Sequence, residues 1–114
     1  MAAIANIYID QSTDYSIVID TEDDNENPFP LDGFTAKCQM RKSYYTSTAY
    51  DIPAEVFGTP ANGQIQLALT PAESAAFKPG RYVYDVIVRN GDDSVVKRVV
   101  EGIATVRPAT TSLL

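Results

Sequence analysis

The stretch RYVYDVIVRN at residues 81–90 alternates strictly between two sets of side chains. One set carries no charge and consists of Tyr82, Tyr84, Val86 and Val88. Alternation with a period of two is the pattern of a β-strand that buries one face. The turn residues NGDD follow at 90–93, and residues 94–106 predict a second long strand that is bent or bulged at Gly102. These two strands indicate an all-β protein.

The rest of the chain repeats this alternation in shorter runs. Strands are predicted at residues 7–10, 15–20, 34–41, 51–57 and 64–69. Pro53 places the fourth of these at a sheet edge, because proline cannot donate to a ladder. Asn62-Gly63, just before the fifth, is a hairpin signal, since both residues accept a positive φ.

The period breaks once, after residue 69. Thr70 and Glu73 form a capping box with Pro71 at the first helical position, which predicts one or two helical turns at residues 71–77. About seven short strands with one helical turn predict a β-sandwich, and a small closed barrel is the alternative.

Shared parity with apolar neighbours on each strand predicts the buried core. The residues expected to be largely buried are Ile7, Ile17, Ile19, Phe34, Cys38, Met40, Ile65, Leu67, Leu69, Tyr82, Tyr84 and Val86.

Length and composition predict one globular domain. The chain has 114 residues, of which 45% are hydrophobic and 21% charged, as in ordinary soluble domains. Residues 1–108 are expected to form the domain and residues 109–114 a short flexible tail. Nine basic against 15 acidic residues argue against nucleic acid or an anionic membrane as the main partner.

The sequence also excludes several kinds of catalytic site. It contains no histidine, which removes Ser-His-Asp and Cys-His nucleophile systems and nearly all catalytic zinc sites. Its single cysteine, Cys38, excludes an internal disulfide, and its parity predicts a buried, inert thiol. A carboxylate-pair hydrolase needs two acidic side chains that converge in a cleft. The candidates are Asp51, Glu55, Asp85 and Glu101, but nothing in their spacing requires them to meet.

An acidic run at residues 20–32 offers oxygen ligands for calcium, including Asp23, Asp24 and Glu26. The EF-hand pattern does not fit, because glycine is missing at the sharp turn and Phe34 stands where the bidentate glutamate belongs. The favoured interpretation is a solvated acidic turn. A metal-dependent hydrolase is the most distant of the functional alternatives.

Two features point to a binding surface. Tyr44, Tyr45 and Tyr50 lie in one Ser/Thr-rich stretch, a composition typical of antibody-like paratopes, or else they cap the end of the sandwich. The last two strands carry apolar residues on both faces, whereas residues 34–41 have a fully polar outer set. Because monomers seldom leave such a patch bare, we expect partner contacts there. The candidate residues are Val83, Ile87, Val96 and Val100.

Three segments resemble a known family. They are AAIANIYIDQSTDYS at residues 2–16, CQMRKSYYTSTAYD at 38–51 and KPGRYVYDVIVRNGDDSVVKRVVEGIATVRP at 78–108. They are similar to small virion structural proteins of T-even-like marine phages of the cyanophage type. More distantly, the layout resembles the immunoglobulin-like N-terminal domain of siphophage baseplate upper proteins. The most specific element is PGRYVYDV followed by a turn and VVEGIATV.

The resemblance implies an immunoglobulin-like antiparallel sandwich with a non-enzymatic, structural role in the virion. The chain would be a tail, baseplate, neck or capsid-decoration component that docks on other virion proteins, as a homo-oligomer or in repeated copies on a symmetric particle. No catalytic residue, cofactor or metal is implied. The start, MAAIANIYID, lacks the features of a secretory signal, so synthesis in the host cytoplasm is expected. The alternative is a soluble module that recognises a glycan or protein through the Tyr-rich loop.

Overall fold

The structure is a computed structural model that describes residues 2–111, and these residues form a sandwich of two β-sheets. This confirms the predicted all-β sandwich. In chain order the strands are β1 (Ala3–Ile4), β2 (Ile7–Asp10), β3 (Tyr15–Asp20), β4 (Phe34–Arg41), β5 (Tyr50–Ile52), β6 (Ala54–Phe57), β7 (Gln64–Leu69), β8 (Gly80–Asn90) and β9 (Val96–Arg107). Helix α1 covers Pro71–Ala75, and a 3₁₀ turn covers Pro60–Asn62.

The two sheets differ in size. The large sheet has the order β1-β9-β8-β4-β5, with β2 continuing along β9 after β1, and the small sheet has the order β3-β7-β6. Pairing is antiparallel throughout, except that β1 and β2 run parallel to β9. Where about seven antiparallel strands were expected, residues 2–111 form nine, and the N-terminal pair makes the large sheet mixed.

One of the extra strands arises at Pro53. The predicted strand at residues 51–57 is interrupted there, so that β5 pairs with β4 in the large sheet and β6 pairs with β7 in the small sheet. Pro53 has no N–H to donate, and its carbonyl oxygen accepts from the Ala68 amide at 3.2 Å. The chain thus changes sheets at the proline and leaves a short edge strand on each.

The hairpin predicted at Asn62-Gly63 is present between β6 and β7, but with a longer connection than a two-residue turn. The 3₁₀ turn Pro60–Asn62 lies within this loop, and of the pair Asn62-Gly63 only Gly63 has a positive φ, of 67°. A side chain there would also collide with the backbone of Phe29, since a Cβ would lie 2.7 Å from its carbonyl oxygen. Glycine is required because the backbone of the loop that precedes β4 passes directly beside residue 63.

The predicted core is confirmed at ten of its positions. Ile7, Ile19, Cys38, Met40, Ile65, Leu67, Leu69, Tyr82, Tyr84 and Val86 are buried. Ile17 and Phe34 are only partly buried and pack against the edge of the core. Ile17 lies on β3, an edge strand, and Phe34 begins β4 and contacts the Phe29 ring edge-on at 5.7 Å.

Tyr82 ties the beginning of β8 to the segment before it. Its hydroxyl donates to the Lys78 carbonyl oxygen at 2.6 Å, four residues upstream. This hydrogen bond closes the corner between α1 and β8. The ring is buried against Tyr50, with centroids 5.7 Å apart. The motif PGRY thus has a structural role that its alternation alone did not predict.

The N-terminal segment is held against β9 by close backbone contact. The buried Tyr84 hydroxyl donates to the Ala5 carbonyl oxygen, and the Ala5 amide donates to the Glu101 carbonyl oxygen at 2.9 Å. A Cβ on Gly102 would lie 2.2 Å from the Ala5 oxygen. Gly102 is therefore required by this approach and is not the site of a bulge, which corrects the sequence-based expectation.

The bulge lies three residues earlier. Val86 pairs with Val100 but Ile87 pairs with Arg98, so Val99 is an extra residue on β9. An extra residue reverses the alternation of the strand beyond it. Before the bulge the even-numbered residues of β9 face outward, and after it the odd-numbered residues do.

The predicted capping box is present at α1. The Thr70 hydroxyl accepts from the Glu73 amide at 3.2 Å, and the Glu73 carboxylate accepts from the Thr70 amide at 2.9 Å. The helix positions Ser74, whose hydroxyl donates to the Thr13 carbonyl oxygen at 2.9 Å. The short helix therefore anchors the turn that leads into β3.

Replacement of Thr70 by alanine is expected to lower the free energy of unfolding by about 1 kcal/mol, because the Glu73 amide loses its acceptor. Thr70→Ser keeps the acceptor and serves as the control, with a smaller loss. Chemical denaturation of the three proteins measures the effect. Equal midpoints for Thr70→Ala and the wild type would show that the cap contributes nothing.

Candidate interaction face

The outer face of the large sheet carries a strip of apolar side chains. Register pairs Val83 with Ile103, and Ile87 and Val96 lie toward the other end of the same two strands. Val83 and Ile87 are half-buried, whereas Ile103 is 39% and Val96 54% exposed. We call these four residues the outer strip.

The bulge at Val99 decides which valines belong to it. Val99 and Val100 are both buried, at 3% and 0% exposure. The prediction that Val100 lies on the partner-binding surface is therefore wrong, because the extra residue turns both side chains into the core. Some of the apolar residues that the sequence placed on the outer face of β9 are thus buried inside the sandwich. Val83, Ile87 and Val96 remain on the outside, and Ile103 joins them.

A row of polar side chains crosses the strip. Register aligns Glu101, Asp85, Gln39 and Asp51 on neighbouring strands. The Arg98 guanidinium lies 3.2 Å from the Asp85 carboxylate and 3.4 Å from that of Glu101, and the Gln39 amide donates to Asp51 at 2.7 Å. Such exposed ion pairs contribute at most about 1 kcal/mol to folding, so their main effect is to fix the positions of charges.

This row contains three of the four carboxylates considered from the sequence. Asp51, Asp85 and Glu101 come into line because β9, β8, β4 and β5 are neighbours, while Glu55 lies on β6 in the small sheet. Sequence spacing carries no signal for this alignment, since it depends on strand order. Within residues 2–111 no group of three or more Cys, Asp or Glu side chains is placed to hold a metal ion.

Two depressions lie on this face and share Gln39 and Asp85. One, of about 410 Å³, is lined by residues that include Ile87, Arg89 and Val96. The other, of about 270 Å³, is lined by Tyr44, Val83 and Arg98 among others. The structure therefore brings one of the candidate tyrosines, Tyr44, onto the same face as the outer strip.

The other two tyrosines lie apart from each other. Tyr45 is 98% exposed at the tip of the loop between β4 and β5. Tyr50 is half-buried and packs against Phe77 with ring centroids 5.0 Å apart. The inclusion of Tyr50 in a binding loop is therefore corrected: it caps the core at the end of the sandwich, as the alternative interpretation held.

The loop that carries Tyr44 and Tyr45 is fastened to the large sheet by Arg41. This guanidinium donates to the carbonyl oxygens of Thr46, at 2.8 Å, and Ser47, at 3.1 Å. The Ser43 and Thr46 hydroxyls lie 2.9 Å apart and share a further hydrogen bond. Because Arg41 pairs with Val83 across the strands, the loop is held next to one end of the outer strip.

The outer face of the small sheet is different in character. Its side chains hydrogen-bond one another across the strands: Gln66 donates to Ser16 at 3.1 Å and Gln64 to Asp20 at 3.0 Å. Val18 and Phe57 are its exposed large apolar residues, on opposite edge strands. The small sheet thus presents a polar face whose side chains bond one another, whereas the large sheet presents two pairs of apolar side chains on either side of a polar row.

The acidic run forms a self-capped turn. The Asp23 carboxylate accepts from the amides of Asn25, at 2.9 Å, and Asn27, at 3.0 Å. The Glu26 backbone adopts a positive φ of 66° within this turn. The carboxylate of Asp23 is therefore occupied in shaping the loop, as Asp commonly is in turns.

Cys38 faces the core of the large sheet and is buried, as predicted. Burial, with smaller contributions from the carboxylates of Asp85 and Asp51, raises the pKa of the thiol from 9.0 to about 12. The thiolate is the reactive form, so this cysteine is inert at neutral pH.

Comparison with known proteins assigns the chain to no family. No family model and no curated protein matches it. Among solved structures, InlP of Listeria monocytogenes superimposes with a TM-score of 0.48 at 16% identity over 90% of the chain. A family 123 glycoside hydrolase from Clostridium perfringens does so with a TM-score of 0.43 at 8% identity over 97%. The chain spans about a quarter of either protein, 26% and 24%. No helix within residues 2–111 is long and apolar enough to cross a membrane.

The bulge predicts that truncation of two valines on β9 changes the free energy of unfolding by very different amounts. Val100→Ala is expected to lower the free energy of unfolding by about 1.5–3 kcal/mol, since a fully buried side chain is truncated. Val96→Ala should change it by less than about 0.5 kcal/mol, because Val96 is mostly exposed. Denaturation curves of both variants measure the difference. A larger loss for Val96→Ala would contradict the pairing of β9 with β8 around Val99.

Thiol labelling tests the position of Cys38. At pH 8 the shift of its pKa from 9.0 to about 12 lowers the thiolate fraction roughly 1,000-fold, so the native protein should react far more slowly than the denatured one. Reaction with a maleimide reagent, with and without denaturant, gives both rates. Comparable rates would place Cys38 at the surface.

Proposed function

We propose that this chain is a non-enzymatic structural protein of a phage virion. Its mechanism is docking on another virion protein through the outer face of the large sheet. The observation that supports docking is the contrast between the two outer faces: one is polar with its side chains paired, and the other carries the outer strip. Exposed apolar side chains interspersed with charged groups are typical of protein contacts.

The family resemblance supports the virion role and extends over nearly the whole chain, from about Ile4 to Pro108. Its three quoted segments contain β1, β2, β8 and β9, half of β4 and two residues of β5, all in the large sheet, and also the first two residues of β3 in the small sheet. The resemblance therefore supports the class of protein, whereas the choice of docking face rests on the outer strip.

The charges around the outer strip suit recognition of a specific partner. Arg98 stands between Asp85 and Glu101, and Arg89 lies 3.8 Å from Asp93 at the end of the face. Both signs alternate around apolar side chains. Charges in these positions add orientation and selectivity to a contact whose affinity comes from buried apolar area.

A second function, recognition of a glycan or protein by the tyrosine loop, is favoured by one observation. Tyr45 projects from a loop that Arg41 holds in place, and a rigidly presented, fully exposed tyrosine is typical of paratopes. A glycan array probed with the wild type and Tyr45→Ala tests it. Tyr45-dependent binding would favour this function. If no such binding occurred, docking would be the one proposed function that stands.

Incorporation into particles tests the proposed function. Tagged Ile103→Lys, expressed during infection by the phage that carries this sequence, should be incorporated at least tenfold less than the wild type, because a charge then lies in the apolar contact. Phe57→Lys is the matched control: its exposure, 41%, is close to the 39% of Ile103, but it lies on the small sheet. Mass spectrometry of purified particles quantifies each form.

Two results would contradict the proposal. If the chain were absent from purified particles, the virion role would be wrong. If Ile103→Lys and Phe57→Lys were incorporated equally, docking would not use the outer strip. Circular dichroism of both variants verifies beforehand that each is folded.

A further inference from the structure

Strand β3 is an open edge of the small sheet. It pairs with β7 along one side over all six residues, and no strand within residues 2–111 pairs with its other side. The remaining edge strands are shorter: β2 and β6 have four residues, and β5 has three. Pro53 also separates β5 from β6. The longest unpaired edge of the described chain therefore belongs to β3.

The direction of its free backbone groups follows from one hydrogen bond. The Thr21 amide donates to the Gly63 carbonyl oxygen at 2.8 Å, in register with the β3–β7 ladder. Alternate residues of an antiparallel strand direct both backbone groups to the same neighbour. Ile17 and Ile19 thus bond to β7, whereas Ser16, Val18 and Asp20 direct their N–H and C=O groups away from it.

The side chains on β3 also leave room for another strand. Tyr15 and Ile17 face the interior but are only partly buried, whereas Ile19 is buried. A strand added along this edge would cover both residues with its own inward-facing side chains. The edge carries neither proline nor lysine, residues with which proteins commonly block such pairing.

Charge indicates what kind of strand fits. β3, β6 and β7, all within the described residues, contain Asp20 and Glu55 but no Lys or Arg. Asp14 precedes β3 and Glu22 follows it. The other edge strands of three or more residues within residues 2–111 also carry a carboxylate each: Asp10 in β2, which pairs with Arg107 at 2.7 Å, Asp51 in β5 and Glu55 in β6. Pairing with a second copy would oppose carboxylates, so a basic segment of another protein is favoured.

We propose that the free edge of β3 accepts an extended basic segment of a partner protein by β-strand addition. Apolar side chains of that segment cover Tyr15 and Ile17, and its Lys or Arg side chains lie beside Asp14 and Asp20. Its backbone pairs with Ser16, Val18 and Asp20. Strand addition of this kind takes affinity from main-chain hydrogen bonds and specificity from alternate side chains. This site is on the small sheet and is independent of the proposed docking face.

Hydrogen exchange with a model ligand tests the proposal on the full chain. The probe is an end-capped seven-residue peptide that alternates valine and lysine, with a valine–glutamate peptide as its control. Saturating lysine peptide should slow exchange of the Ser16, Val18 and Asp20 amides at least tenfold. The Ile17 and Ile19 amides, already bonded to β7, should change little. The glutamate peptide should protect none of these amides.

A backbone variant separates strand addition from simple charge attraction. Val18→Pro removes an outward N–H without removing a β3–β7 hydrogen bond, and Val18→Thr keeps that N–H with a similar shape. The lysine peptide should bind Val18→Pro at least tenfold more weakly than Val18→Thr. Protected Ile17 and Ile19 amides in Val18→Pro show that β3 is still paired. Equal binding to both variants, or binding to the wild type without protection of the three amides, would overturn the proposal.

Discussion

The extra residue at Val99 is the constraint on which the surface of this sandwich depends. β9 is the longest strand, and it pairs with β8 on one side and with β1 and β2 on the other. Without the bulge, a single alternation along β9 would direct either Val96 and Arg98 or Ile103 and Thr105 inward. The bulge lets Val99 and Val100 both be buried while Val96 and Ile103, on either side of it, lie on the same outer face.

This arrangement gives the molecule two unlike faces, and the longest open edge within residues 2–111 is that of β3. The outer strip on the large sheet combines apolar side chains with alternating charges, and the small sheet covers its outer face with paired glutamines. β3 leaves three residues with unpaired backbone groups at the margin. A small domain that makes several contacts in an assembly needs separate surfaces of this kind, because each partner then meets a different chemistry.

The sequence predicted features that depend on local chemistry. Alternation located the principal strands and most of the core, and the capping box at Thr70 predicted α1. Features that depend on strand order were not predictable: the change of sheet at Pro53, the parallel pairing of β1 and β2, and the row from Glu101 to Asp51. The bulge was expected at Gly102 because glycine favours irregular backbone. Gly102 instead leaves room for the backbone of Ala5. The bulge occurs among β-branched residues, whose sequence gives no local indication of a bulge.

The residues of the candidate interaction face were likewise predictable where local alternation decided their position, and not where strand pairing or distant contacts did. Val83, Ile87 and Val96 were placed on the outer face because their parity was correct. Val100 was misplaced by the single extra residue, and Tyr50 by its contact with Phe77, which is distant in sequence. Tyr44 was expected in a separate loop, but Arg41 holds that loop beside Val83.

Hydroxyl-radical footprinting of the chain, free and within the purified particle, tests the docking face most directly. We expect Val83, Ile87, Val96 and Ile103 to lose reactivity in the particle, while Phe57 on the small sheet keeps it. Unchanged reactivity of the outer strip, together with protection of Phe57, would contradict docking through the large sheet.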